Sequence, residues 1–299
     1  MNKRIVSMTI GLAFTAISCA AQTVHIDPDY TGGSSDGSID SPYASWADAI
    51  PAGSQAETLQ AEAGTTYLQK RGTAIEISSR ILAAQDTTFG AYGSGDRPSI
   101  HHLGFSDNHG VFEAKAAYET SPMSHITIRD LVISGTGVTT IILLEGFVSD
   151  TLIDNCEIIG GIWGIRSLQY TKPGANSRIL NCDIHHSGDD GIFVYATFGL
   201  EVGYCHIHDI NQDYFTGPQP PSQDTASGDC IQFYAGAHDA WIHHNILDKS
   251  STEFKFALIL QPGESSSRPI HDVTVEYNKL IGQGVSSASV VYLDNHVNA

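Results

Sequence analysis

Positive charge is scarce in this sequence. Fifteen lysines and arginines face 33 aspartates and glutamates in 299 residues, a formal charge of −18. A duplex binder needs a clustered cationic face, so nucleic acid is excluded as a partner. Cysteine is scarce too, at five, and there is no CxxC or zinc-finger spacing. Charged residues are only 16 % and apolar ones 41 %, which fits neither a disordered chain nor a membrane span. Glycine (29), histidine (14) and tyrosine (12) are plentiful, the composition of an extracellular β protein rather than a cytosolic helical one.

The chain begins with Asn2-Lys3-Arg4, an apolar run from Ile5 to Ile17, and the small residues Ser18-Cys19-Ala20-Ala21. That order is the signature of a secretory signal, so residues 1–21 are set apart from a single domain over 22–299. Ala16-Ile17-Ser18-Cys19 also has the outline of a lipobox, with Cys19 as the alternative mature N-terminus. The expected location is secreted, periplasmic or an outer-surface lipoprotein of a bacterium. Losing Lys3 and Arg4 leaves 13 basic groups against 33 acidic ones, so an anionic ligand must meet a local basic patch or a bound cation.

From about Ser124 the chain repeats itself. TIRDLVI, LIDNCEI, RILNCDI, EVGYCHI, WIHHNIL and TVEYNKL superpose on Leu131, Cys156, Cys182, Cys205, Asn245 and Asn278, at spacings of 25, 26, 23, 40 and 33. Second strands follow: GIWGIRSL, GDDGIFVYA, GDCIQFYAG, EFKFALIL and ASVVYLD. Short strands at a period near 25, without helical periodicity between them, predict an all-β solenoid, a right-handed parallel β-helix with coils stacked about 4.8 Å apart. Cys156, Cys182 and Cys205 should form an inward thiol ladder continued by Asn245 and Asn278; in-register Cβ vectors suit a vertical disulfide poorly. Ile75, Ile77, Phe89 and Ile100 should line the first coils. Ser41 and Pro42 read as N-cap and first position of a short capping helix within 41–50. The 40-residue spacing contains a Pro- and Gly-rich excursion at 211–227, and a smaller one runs from Gln261 to Pro269.

Taking Ile165, Ile192, Ile231 and Phe256 as inward, alternation sends Gly164, Gly191, Cys230 and Lys255 outward in one column. Arg166, Phe193, Gln232 and Ala257 form the next, and Leu168, Tyr195, Tyr234 and Ile259 the third. Arg166, Tyr195, Gln232, Tyr234 and Lys255 thus share one outward face, whose positive, amide and aromatic groups suit an anionic sugar chain. Asp189, Asp190 and Asp229 stand just before these strands. Three roles are open to them: turn capping, calcium ligation, or the acid/base work of a glycosidase. His208 shares a column with His185, and His186, His206, His243 and His244 lie nearby. No HExxH spacing marks a metal site, and His208 and His244 are expected to hydrogen-bond sugar hydroxyls or a uronate.

HIDPDYTGGSSDGSIDSPYASWADA (25–49), AGTTY (63–67) and GAYGSGDRPSI (90–100), followed by coils with GDDGIFV and GDCIQFY, resemble secreted bacterial β-helix polysaccharide lyases, particularly alginate lyases of families 6 and 31. The HG and RIK elements of polygalacturonase-type hydrolases and the DPHD-type motif of mannuronan epimerases are missing. The resemblance implies β-elimination on an acidic polysaccharide, alginate first; a monomer is expected. It implies a lysine base, for which Lys255 is the match, and a tyrosine acid: Tyr214 on the excursion, with Tyr195 and Tyr234 behind it. The Glu-x-Glu cluster of the calcium-dependent family 6 site is absent, so calcium at Asp189, Asp190 and Asp229 stays open. Hydrolysis by those aspartates, or carbohydrate binding without catalysis, are the alternatives.

Overall fold

The computed structural model describes residues 22–104, 109–116, 121–168, 176–210, 228–250, 256–261, 269–282 and 291–293. The signal segment with Cys19, the excursion with Tyr214, and Lys255 lie outside the described residues.

Three long sheets, every strand pairing parallel, wrap a single core, so the chain is a parallel β-helix. One coil shows the plan: Leu152–Asp154 in the first sheet, Glu157–Gly160 in the second, Trp163–Leu168 in the third. Among the described residues the first and third sheets have nine strands and the second has eight. Like residues stack in register because each coil repeats the phase of the one before. Ile128, Ile153, Ile179, Val202 and Ile242 form a column in the first sheet. Ile133, Ile158, Ile184, Ile207 and Leu247 do so in the second. All ten are buried, and each such side chain contributes roughly 1.5–3 kcal/mol of hydrophobic free energy.

The corner between first and second sheets is a single residue in the left-handed conformation, repeated at Asp130, Asn155, Asn181, Tyr204, His244 and Tyr277. Asp and Asn tolerate this region, and their side chains also link coils: Asn155 donates to Asp130 at 2.8 Å and Asn181 to Asp154 at 2.7 Å. Directly after the corner comes the ladder expected from sequence. Cys156, Cys182 and Cys205 are buried, free thiols. Asn245 continues the column by accepting from the Cys205 amide at 2.9 Å, and Asn278 accepts from Asn245 Nδ2 at 2.9 Å. Ile77, Phe89 and Ile100 are buried and Ile75 packs against the core, as expected.

The capping helix is shorter than predicted and starts later. It spans Trp46–Ala49 with Ser45, not Ser41, as N-cap; Ser45 accepts from the Asp48 amide at 3.1 Å. Tyr43 is already committed to a parallel bridge with Ile26, which keeps Ser41 and Pro42 out of the helix. Trp46 plugs the end of the coil stack, fully buried beside Phe89 and Phe112, with its Nε1 donating to Gln69 at 2.8 Å.

Candidate functional site

The third sheet brings Arg166, Tyr195, Gln232 and Tyr234 of the expected strip together. Arg166 pairs with Phe193, Phe193 with Gln232, and Gln232 with Ile259; Leu168, Tyr195, Tyr234 and Gln261 run beside them. The Arg166 guanidinium lies over the Trp163 ring at 3.9 Å and 5.8 Å from the Phe193 centroid, a cation–π seat that fixes where its charge sits. Tyr195 and Tyr234 lie 5.7 Å apart, centroid to centroid, one coil from each other. Gln232 donates to Gln261 at 3.4 Å.

Toward the N-terminal end the strip continues into residues the sequence reading missed. Glu113 pairs with Leu143, and Leu143 with Arg166, so Glu113 stands in the same column. It is buried, held by Arg80 at 3.1 Å and by His109 at 3.0 Å, in the wall of a pocket of about 230 Å³ that Lys115, Gln55 and Gln60 also line. The signal was the stretch Gly110–Ala116, GVFEAKA, where Glu113 and Lys115 interrupt an apolar strand at alternate positions.

The register of the last strands differs from the expected alignment of EFKFALIL. Ile231 pairs with Leu258 rather than Phe256, so Ala257 and Ile259 take the places expected for Lys255 and Ala257. Cys230 is likewise corrected. It lies in the corner before its strand and is buried in the core with Sγ toward the Ile207 carbonyl, so it is inward.

Asp190 and Asp229 build the corner between the second and third sheets. Asp190 Oδ1 accepts from the Asp229 amide at 2.9 Å, and Asp229 Oδ1 from the Phe256 amide at 2.7 Å. Each carboxylate thus caps the equivalent turn one coil on. Asp190 is 0 % exposed and Asp229 1 % exposed, so both carboxylates are enclosed within the coil. Burial, then the charges of Asp189 and Asp229, push the Asp190 carboxyl well above the usual carboxylate range. The three do not gather as calcium ligands. Among the described residues, only Asp183, His206 and His208 bring ligand atoms within 4.8 Å of one another.

Lys249 closes this corner. It is buried, and its Nζ donates to the carbonyls of Gly228 at 2.8 Å and Ile210 at 3.4 Å, the two residues that flank the excursion. Burial lowers its pKa, against the opposing pull of Cys230, Asp229, Asp190 and Asp189.

The two histidine candidates are not part of the third-sheet strip. His208 ends the second-sheet strand His206–His208, and His244 is the exposed left-handed corner between first and second sheets. The His244 ring stacks between Tyr204 at 4.9 Å and Tyr277 at 5.0 Å.

This geometry defines a parallel β-helix with a decorated outer face. The chain belongs to the right-handed beta helix region family, whose model matches residues 66–298. No curated protein sequence matches it. Among solved structures it resembles the GH136 lacto-N-biosidase from Eubacterium ramulus, with a TM-score of 0.54 at 13 % identity over 93 % of this chain and 58 % of that one. An alginate lyase from Paenibacillus sp. str. FPU-7 gives 0.47 at 16 % identity, over 80 % of this chain and 94 % of that one. Pectate lyase Pel9A gives 0.48 at 14 %, over 93 % and 78 %. At 13 % identity the likeness to the lacto-N-biosidase is one of fold alone. Among the described residues no helix is long and apolar enough to cross a membrane.

Proposed function

We propose that this chain is a polysaccharide lyase that cleaves an acidic, uronate-containing polysaccharide by β-elimination, alginate being the first substrate to test. The observation that carries the reading is the third-sheet strip: a ring-seated guanidinium, a glutamine pair and two adjacent phenols on one face of a chain with a charge of −18. Removing the C5 proton of a uronate demands that its carboxylate be neutralised first. Arg166, aided by the Gln232 amide, takes that part, and no resident calcium is invoked. The base receives the C5 proton, the C4–C5 double bond forms as the bond from C4 to O4 breaks, and an acid protonates O4. Lys255 is assigned as base and Tyr214 as acid on the sequence, with Tyr195 and Tyr234 the alternatives for the acid. A location outside the cytoplasm and a monomeric state are part of the same proposal, resting on the sequence.

The test is an assay across alginate, polygalacturonate and other uronate polymers. A rise in ultraviolet absorbance from unsaturated uronate supports the lyase. Reducing ends without that absorbance point to hydrolysis, and neither product points to a carbohydrate-binding β-helix without catalysis. Lys255→Ala should lower turnover by about a thousandfold with the circular dichroism spectrum unchanged. Lys255→Arg should not restore it, since guanidinium stays protonated. Near-normal turnover in Lys255→Ala would remove the lysine from the mechanism.

A further inference from the structure

We propose that the outward face of the second sheet is a binding site for one divalent transition-metal ion of the zinc class, ligated by Asp183, His206 and His208. His206 and His208 are two residues apart on one strand, so alternation projects both rings from the same face. Asp183 is the register partner of His206 on the preceding coil. Its Oδ1 lies 3.0 Å from His208 Nε2 and 3.6 Å from His206 Nδ1. Ligand atoms bound tetrahedrally at about 2.0–2.2 Å stand roughly 3.3–3.5 Å apart. The three groups therefore need only small movements to enclose an ion.

A second feature points the same way. The other ring nitrogen of His208, Nδ1, lies 2.7 Å from Asp209 Oδ2. A carboxylate behind an imidazole fixes the tautomer with the proton on Nδ1 and leaves the Nε2 lone pair for the metal, the outer-shell arrangement found behind metal-bound histidines. Two imidazoles and one carboxylate select zinc, nickel, cobalt or copper over calcium and magnesium, which prefer all-oxygen shells. The side chains are partly exposed, 41 % for Asp183, 44 % for His206 and 22 % for His208, so water completes the coordination. The site lies on a different sheet from the proposed lyase strip and stands or falls independently of it.

The experiment is calorimetric titration of zinc into chelator-treated full-length protein, with calcium as the control ion. About one equivalent of zinc should bind and raise the thermal midpoint, and calcium should do neither here. His206→Ala and His208→Ala should each weaken zinc binding more than about tenfold. Asp209→Asn keeps all three ligands and should weaken it about 10- to 100-fold. His125→Ala, an exposed histidine elsewhere on the solenoid, should leave it unchanged. If His208→Ala perturbs the fold, His208→Gln and Asp209→Asn carry the test. Absence of zinc binding by the wild type, or binding unaltered in the His206 and His208 variants, overturns the proposal.

Discussion

At pH 7 His102 is a neutral imidazole. The side chain is 0 % exposed, and its Nδ1 accepts a hydrogen bond from the Gly104 amide at 2.9 Å, so the proton resides on Nε2. Burial, followed by His101 and Arg80, lowers its pKa to about 4. The folded value lies below the unfolded value of 6.5, so the unfolded state binds more protons between the two. The associated stability is present above pH 6.5 and is lost as pH falls toward 4, about 3 kcal/mol in all. Thermal melts should therefore show an acid-side decline that His102→Gln flattens. Parallel declines in wild type and variant would acquit this histidine. Asp190 carries the opposite sign. Its folded pKa is raised, so its contribution is full below the unfolded 3.8 and fades as pH rises through the folded value.

At the scale of the element, the corner between second and third sheets is held by Lys249. A chain leaving the coil at Ile210 and returning at Gly228 must bring two carbonyls together away from water, and one ammonium bonds both. The return is also tight, because a Cβ at Gly228 would overlap the Asp189 carbonyl oxygen. Lys249→Met should cost about 1–3 kcal/mol by leaving those carbonyls unsatisfied, and should speed proteolytic cleavage between 210 and 228. Unchanged stability and cleavage would mean that Lys249 does not hold the loop base. Little of this corner was legible in the sequence: GDD and GDC show turn chemistry but not whether a carboxylate faces solvent or the next coil. The shifted alignment of the last strand has a similar origin. Phe254, Phe256, Leu258 and Leu260 alternate, so sliding the strand by two residues leaves the same apolar pattern, and only the pairing of Ile231 with Leu258 fixes the register. Corners were readable where Asp130, Asn155 and Asn181 supply the usual left-handed residues. Where Tyr204, His244 and Tyr277 adopt the same conformation they were not, because ring stacking between coils replaces intrinsic preference. The core ladder was legible because a solenoid states each inward position several times over.

At the scale of the whole molecule, stability is a sum over coils and their contacts with nearest neighbours, and this chain offers a direct test of that addition. Asn155 and Asn181 are both left-handed corners, and Cys156 and Cys182 both begin second-sheet turns. Deleting 156–181 joins Asn155 to Cys182 at identical phase. Ile133 can then stack on Ile184, and Ile142 on Ile192, since in the intact chain each pair is separated by one register partner, Ile158 and Ile165. The shortened protein should keep a β-sheet circular dichroism spectrum and a single cooperative melt, at a lower midpoint because one interface between coils is gone. It should also separate the two outer faces. Trp163 and Arg166 leave with the deleted coil, so elimination should fail, whereas Asp183, His206, His208 and Asp209 all remain and zinc should still bind. An unfolded or aggregated product would show that the coils are not interchangeable, and a folded one that still cleaves substrate would take Arg166 out of the proposed mechanism.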